Sequence, residues 1–198
     1  EAYAQSKDYD TLEEYVLFLS QNGRAAKAVD AAKAYYDANV SDTKGYGLYA
    51  DALLAAEDGA KALEIADQLI QLNPDDAAGH EKKGRAMILL DKEDGLDELR
   101  KAVHLEPRNA AYNISLGKAL FGLGKVDEAA LAFRSAVKAE PTNADAHVYL
   151  GMALRGQSEY DEAKTHLDKA IDLDPNNGRA YFELGLIAGI QNKAEEAE

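Results

Sequence analysis

A period of 33 or 34 residues is the feature that most constrains how this chain can fold. Its prolines lie at positions 74, 107, 141 and 175, at intervals of 33, 34 and 34 residues. The segments 116–141 and 150–175 share most of their Leu, Gly and Ala positions, an Asp-Glu-Ala triplet and the final Pro. A fixed period of this length is typical of a solenoid, in which each repeat packs on its neighbours.

Each period is predicted to contain two helices. The proline ends one helix, because proline cannot donate the backbone hydrogen bond that would continue it. A short polar residue then follows at Asp76, Asn109, Asn143 and Asn177, with Asp42 one period earlier. Asp and Asn side chains accept hydrogen bonds from the free N–H groups of a helix's first turn. A second break, rich in Gly and Asn near positions 22–23, 58–59, 124–125 and 157–158, divides each period.

Small residues recur where two such helices would meet. The first helix carries Ala50, Gly84, Gly117, Gly151 and Gly185, and the second carries Ala28, Ala62, Gly95, Ala129, Ala163 and Ala197. Small residues at these places let paired helices approach closely.

In this pattern the chain resembles the tetratricopeptide repeat family over nearly its whole length. The resemblance implies an all-α fold, a right-handed superhelical solenoid of antiparallel helical hairpins, and a role in binding other proteins.

The register of these positions predicts repeats at 9–42, 43–76, 77–109, 110–143 and 144–177, with a partial repeat at 178–198. Residues 1–8 are interpreted as an N-terminal tail or the end of a preceding helix. The partial repeat is expected to stop just inside its second helix, near Ala197, so we expect the native protein to continue beyond Glu198.

The composition excludes several classes of function. The chain has 22 Lys and Arg against 36 Asp and Glu, a net charge of −14, which disfavours binding to nucleic acid. It has no cysteine, and no apolar run approaches the length needed to insert into a membrane. We therefore expect a soluble protein, and the sequence leaves the cytoplasm and the periplasm open as its location.

The sequence predicts no catalytic residues, no metal site and no cofactor. The four histidines, at 80, 104, 147 and 166, include no pair at the spacing of a helical zinc site. His80 and His147 occupy equivalent places in two repeats and are interpreted as packing residues. Asp127-Glu128 and Asp161-Glu162 are expected to stabilise the starts of second helices.

The candidate site is the concave face, which the resemblance implies is lined by the first helix of every repeat. Carrying the family's contact positions onto this chain gives an apolar strip with flanking cations, which is typical of a site for an amphipathic segment. The predicted partner-binding residues are Leu48, Arg85, Ile114, Lys118, Phe121, Tyr149, Met152, Arg155 and Phe182. An error of one place in register would instead put several of them in the core between repeats.

The predicted partner is a protein or peptide whose docking segment is amphipathic and carries acidic residues. The Lys and Asn pattern with which chaperone-binding members of the family clamp a terminal carboxylate is not found in any repeat, which argues against that ligand. Two alternatives to a non-enzymatic scaffold stay open: the regulatory arm of a larger enzyme, and a self-associating scaffold whose groove is filled by a second copy.

Overall fold

The computed structural model describes residues 9–92 and 94–195, and of residues 193–195 it describes the helix only. The predicted tail at 1–8 and the small residue Ala197 lie outside the described residues. Within the described ranges all regular structure is helical, in the elements α1 (Tyr9–Gln21), α2 (Ala25–Ala38), α3 (Thr43–Ala55), α4 (Gly59–Leu72), α5 (Ala77–Leu89), α6 (Gly95–Leu105), α7 (Ala110–Gly122), α8 (Val126–Ala139), α9 (Ala144–Gly156), α10 (Tyr160–Leu173) and α11 (Gly178–Glu195). The predicted all-α helical-repeat fold is confirmed.

The chain divides between Leu105 and Glu106 into two compact units. In unit 1, each helix from α1 to α6 packs on the next, and α3 also contacts both α1 and α5. In unit 2, each helix from α7 to α11 packs on the next, and α9 also contacts both α7 and α11. Odd-numbered helices are called first helices below and even-numbered helices second helices. Within each unit, the contacts between alternate helices bring the first helices side by side.

Polar caps start the first helices where the sequence predicts them. Asp42, Asp76, Asn109 and Asn143 are the N-caps of α3, α5, α7 and α9. Each side chain accepts a hydrogen bond from a backbone N–H of the first turn, at 2.7–3.3 Å. These bonds satisfy donors that have no partner inside the helix.

A second polar position recurs near the start of the first helices. In five of them one side chain bonds the backbone carbonyl oxygen six residues earlier, which is a proline carbonyl in every case except the first, where it is that of Val40. The bonding side chains are Tyr46, His80, Asn113, His147 and Tyr181, at 2.9–3.3 Å. Three kinds of side chain thus tie the linker between hairpins to the helix that follows it.

Close approach of the two helices in a hairpin depends on the predicted small residues. An added Cβ atom at Gly117 would lie 2.4 Å from the ring of Phe133, and one at Gly151 would lie 2.7 Å from Leu167. Both large side chains are fully buried on the second helices. At Gly185 in α11 an added Cβ would meet no described atom within 4 Å.

The last helix corrects one expectation. The sequence predicts a turn near Gln157 and Ser158 in the fifth repeat, and its equivalent one repeat later would lie near Gln191. The structure has a single helix from Gly178 to Glu195. The segment 191–195 contains neither glycine nor proline, and its Lys, Ala and Glu residues favour the helical state.

Candidate functional site

On the first-helix face of unit 1, charged side chains neutralise one another. Lys82 Nζ lies 2.9 Å from an Asp51 carboxylate oxygen and 3.6 Å from a Glu81 carboxylate oxygen. The Arg85 guanidinium lies 3.1 Å from Asp51 and 3.2 Å from Glu81. Burial lowers the pKa of Lys82, but the carboxylates of Asp51 and Glu81 outweigh it and hold that pKa above its ordinary value. Arg85, a predicted site residue, therefore already forms ion pairs with carboxylates of its own chain.

The structure contradicts the prediction made for Leu48. It was predicted to line an accessible groove, but its side chain is only 5% exposed. It belongs to the core of unit 1 together with Leu12 and Val16 of α1 and Ala86 of α5. The reason is that α3 has a first helix on each side of it, so this position faces neighbouring helices. Ile114 in unit 2 is half-buried and packs against Ala110, Ala136 and Ala146.

A cleft of about 380 Å³ opens on the first-helix face of unit 2. We call it the unit 2 cleft. Helices α7, α9 and α11 supply nearly all of its wall, and α8 supplies one aromatic ring. Its lining residues are Lys118, Phe121, Gly122, Phe133, Tyr149, Met152, Arg179, Phe182 and Glu183. The structure thus brings together five of the nine predicted residues, namely Lys118, Phe121, Tyr149, Met152 and Phe182.

Tyr149 forms the centre of this cleft. Its ring stacks on Phe133 at a centroid separation of 5.4 Å and an interplanar angle of 16°. Lys118 Nζ lies 5.5 Å from the same ring centroid and the Arg179 guanidinium carbon 5.3 Å from it, both within cation–π range. Arg179 also donates a hydrogen bond of 2.9 Å to the Tyr149 hydroxyl. One aromatic ring therefore positions two cations at the cleft.

Arg155 lies beside the cleft rather than on its wall. Its Nε donates to the Glu183 carboxylate at 2.7 Å, which joins α9 to α11. Phe133, Arg179 and Glu183 were not among the predicted site residues. Phe133 comes from a second helix, and the pattern of large residues facing Gly117 is the signal that could have drawn attention to it.

Three of the four histidines occupy packed positions in the hairpins, and a contact between two of them was not predicted. His80 bonds the Glu98 carboxylate through Nδ1 at 2.6 Å. His147 Nδ1 lies 3.0 Å from His166 Nδ1, across the α9–α10 pair. In residues 9–92 and 94–192, no group of three or more His, Asp or Glu side chains is placed to hold a metal ion. The same part of the chain contains no helix with the length and apolar character to span a membrane.

Comparisons with known proteins agree with this architecture. Two sequence models described as tetratricopeptide repeat match the chain, one over residues 89–144 and the other over residues 120–185. No curated relative matches the sequence.

Solved structures extend the likeness to most of the chain. TTC0263, a thermophilic TPR protein in Thermus thermophilus, is similar with a TM-score of 0.77 at 20% identity, covering 91% of this chain and 99% of that one. YrrB, a TPR protein with an unusual peptide-binding site, has a TM-score of 0.59 at 20% identity, covering 92% and 97%. MamA from Desulfovibrio magneticus RS-1 has a TM-score of 0.60 at 19% identity, covering 87% and 98%.

At these identities the solved structures establish the fold alone. The repeat period, the paired helices with small residues at their contacts, and the two matching sequence models lead to one conclusion. Residues 89–185 match tetratricopeptide repeat models, and the described chain has the helical-repeat fold of a tetratricopeptide repeat protein.

Proposed function

We propose that this chain is a non-enzymatic interaction module that docks a segment of a partner protein in the unit 2 cleft, as part of a larger assembly. The tetratricopeptide fold supports a protein–protein interaction role, and YrrB is described as having a peptide-binding site. The observation that carries the proposal is the cleft itself, where apolar side chains of three first helices surround two cations. An open apolar cleft with a few polar groups is the usual form of a binding site.

The experiment that tests this proposal uses short random peptides displayed on phage and selected on the whole chain. Binding of a selected peptide is then measured with the variant Phe182→Asp. Phe182 is 63% exposed on α11, so its replacement removes cleft surface without opening the core. We expect binding to weaken by about tenfold or more, because an acidic group replaces an apolar contact in the cleft.

The matched control is Leu131→Asp, since Leu131 is 66% exposed on α8 and lies outside the cleft. This control makes the same change of charge and should bind as the wild type does. Circular dichroism and thermal melting establish that both variants are folded. Equal binding by Phe182→Asp and wild type would overturn the proposed site.

Self-association is a second candidate function, favoured by the exposed apolar side chains of α11. Tyr181, Phe182, Leu186 and Ile190 are all exposed on this helix. Contiguous exposed apolar surface marks interaction sites, and a second copy could cover it. Sedimentation measured at two protein concentrations tests this candidate, and a mass equal to one chain at the higher concentration excludes it.

A further inference from the structure

We infer that the unit 2 cleft is specific for a segment in which a large apolar side chain lies next to a single Asp or Glu, with that carboxylate bound by Lys118 and Arg179. This inference rests on the proposed docking function and specifies the chemistry of the partner. It concerns an internal acidic residue of the partner segment and not a chain terminus.

The two cleft cations lack an acidic partner. Within the described ranges, neither Lys118 nor Arg179 forms an ion pair with a carboxylate; both contact Tyr149 instead. Because both lie within 5.5 Å of the same ring centroid, the charges are no farther apart than the sum of those two distances. A carboxylate that a partner places beside this ring would be attracted by both charges.

Three other first-helix cations differ in this respect. Lys82 and Arg85 in unit 1 share the carboxylates of Asp51 and Glu81. Arg155, one turn from the cleft, is paired with Glu183. In a chain with a net charge of −14, these two cations form the part of the cleft that suits an external negative charge, because Glu183 on the same wall is paired with Arg155.

The size and lining of the cleft define the rest of the ligand. Phe121, Phe133, Met152 and Phe182 form its apolar wall. A volume of about 380 Å³ is near the lower end for binding sites, which suits one or two side chains of a partner segment. Methionine adapts its shape to what it contacts, which suits a pocket for a large aliphatic or aromatic side chain. A residue of that kind would contact the apolar wall, and the carboxylate next to it would contact Lys118 and Arg179.

The peptides selected on the whole chain test this inference first by their sequences. We expect them to be enriched in Asp or Glu adjacent to Phe, Leu, Ile or Met, relative to the unselected library. For one selected peptide, fluorescence anisotropy then gives the Kd for the wild type, Lys118→Glu and Arg179→Glu. Each variant is expected to bind about tenfold more weakly, because it replaces attraction by repulsion.

Two controls test whether a change in Kd comes from charge in the cleft or from the net charge of the protein. Lys169→Glu makes the same change in net charge at an exposed position of α10, outside the cleft, and should leave the Kd unchanged. A peptide in which the acidic residue is replaced by Lys should bind Lys118→Glu more tightly than it binds the wild type. All variants are compared with the wild type by circular dichroism before binding is measured.

The outcomes distinguish this inference from the proposed function. If the selected peptides lack an adjacent acid, or bind Lys118→Glu and Arg179→Glu as well as wild type, while Phe182→Asp still abolishes binding, the docking function stands and the acidic specificity is overturned. If Phe182→Asp also has no effect, or if no peptide is selected, the docking function fails and this inference fails with it.

Discussion

Two glycines face each other where α5 and α6 meet in unit 1. A Cβ atom added to Gly84 would lie 2.7 Å from the Gly95 carbonyl oxygen and 2.7 Å from Leu99 Cγ. A Cβ atom added to Gly95 would lie 2.6 Å from the Gly84 carbonyl oxygen. Because backbone atoms stand on both sides, the hairpin cannot accept a methyl group there without moving a helix.

Replacing Gly84 by Ala is therefore expected to destabilise the protein by about 1–3 kcal/mol, the usual cost of overpacking a core. The control is Gly185→Ala at the equivalent place in α11, where the added Cβ meets no described atom within 4 Å. The control should be neutral or more stable by up to about 1 kcal/mol, since alanine favours the helix. Urea denaturation gives both values, and equal free energies of unfolding for Gly84→Ala and wild type would contradict the packing described.

The His147–His166 pair is the second residue-scale feature with a measurable consequence. His147 Nε2 is 3.1 Å from the Pro141 carbonyl oxygen, which only accepts hydrogen bonds, so Nε2 must carry the proton. Nδ1 of the neutral ring is then an acceptor, and His166 Nδ1 donates to it. Two protonated rings would place N–H against N–H. Burial lowers the pKa of His166, and His147 lowers it further, although Glu162 opposes the shift.

This arrangement predicts a loss of stability on acidification. An unfolded histidine takes up a proton near pH 6.5, above the lowered pKa of folded His166. Between those two values the unfolded state binds more protons, so the contribution of His166 is complete above about pH 6.5 and declines as the pH falls through this window. We expect His166→Gln to lose less stability than the wild type between neutral pH and about pH 5.

Denaturant unfolding at several pH values measures this difference. The comparison must be made against the wild type, because the chain contains three other histidines. His104→Gln serves as the control, since His104 is exposed at the end of α6. Identical pH dependence of His166→Gln and wild type would show that the pair does not act in this way.

At the scale of the element, the turn inside each hairpin adopts the same backbone conformation with different residues. Gly23 and Gly124 have φ values of 69° and 74°, in the left-handed region where glycine is favoured. At corresponding places one repeat apart, Glu57, Asp91 and Ser158 have φ values of 59°, 55° and 65°. Three hairpins therefore close their turns with a side chain that disfavours the conformation.

Ser158→Gly is accordingly expected to stabilise the protein by about 1 kcal/mol, the approximate cost of a left-handed conformation for a residue with a Cβ atom. The reciprocal change, Gly124→Ala, should destabilise by a similar amount, since space around Gly124 is open and only the backbone conformation matters. Thermal melting compares the two variants with the wild type. A lower melting temperature for Ser158→Gly would mean that the serine side chain stabilises the turn.

These elements also show how far the sequence could be interpreted without a structure. The prolines and the caps Asp42, Asp76, Asn109 and Asn143 identify where first helices begin, because capping is a local interaction. The turns at Glu57 and Asp91 have no glycine at the left-handed position. Asp58 and Gly59 indicate the first of them, and only the period indicates the second. The continuous helix α11 could not be foreseen, since the expected turn was carried over from earlier repeats.

The candidate site was harder to predict from the sequence than the helices, because its side chains contact residues that are far away along the chain. Arg85 was predicted to be open to a partner, yet its ionic partner Asp51 is 34 residues away. Leu48 was placed in the groove by its repeat position, and packing between α1, α3 and α5 buries it. The grouping of Lys118, Phe121, Tyr149, Met152 and Phe182 followed from carrying the contact positions of the family that the chain resembles onto each repeat. Whether these residues bind a partner stays a prediction.

For the whole molecule, the dominant electrostatic property is its excess of 36 acidic over 22 basic residues. Self-repulsion of such a net charge destabilises a compact state at neutral pH. The Debye length falls from about 30 Å at 0.01 M salt to about 3 Å at 1 M salt, so this repulsion is screened at high salt. Buried pairs such as Lys82 with Asp51 are screened much less.

We therefore expect the melting temperature at pH 7 to rise by several degrees when sodium chloride is increased across that range. Near the isoelectric pH the same titration should have much less effect, which provides the control. A melting temperature that falls with added salt would show that specific ion pairs outweigh the net repulsion.

The recurrent bond to the carbonyl six residues earlier has a broader consequence. Tyr46, His80, Asn113, His147 and Tyr181 perform the same backbone task with a phenol, an imidazole or an amide. This position requires a hydrogen-bond donor, and any of these three side-chain types can supply it. A protein engineer could therefore exchange the donor in one chosen hairpin for another of these three kinds while the backbone of every repeat stays alike.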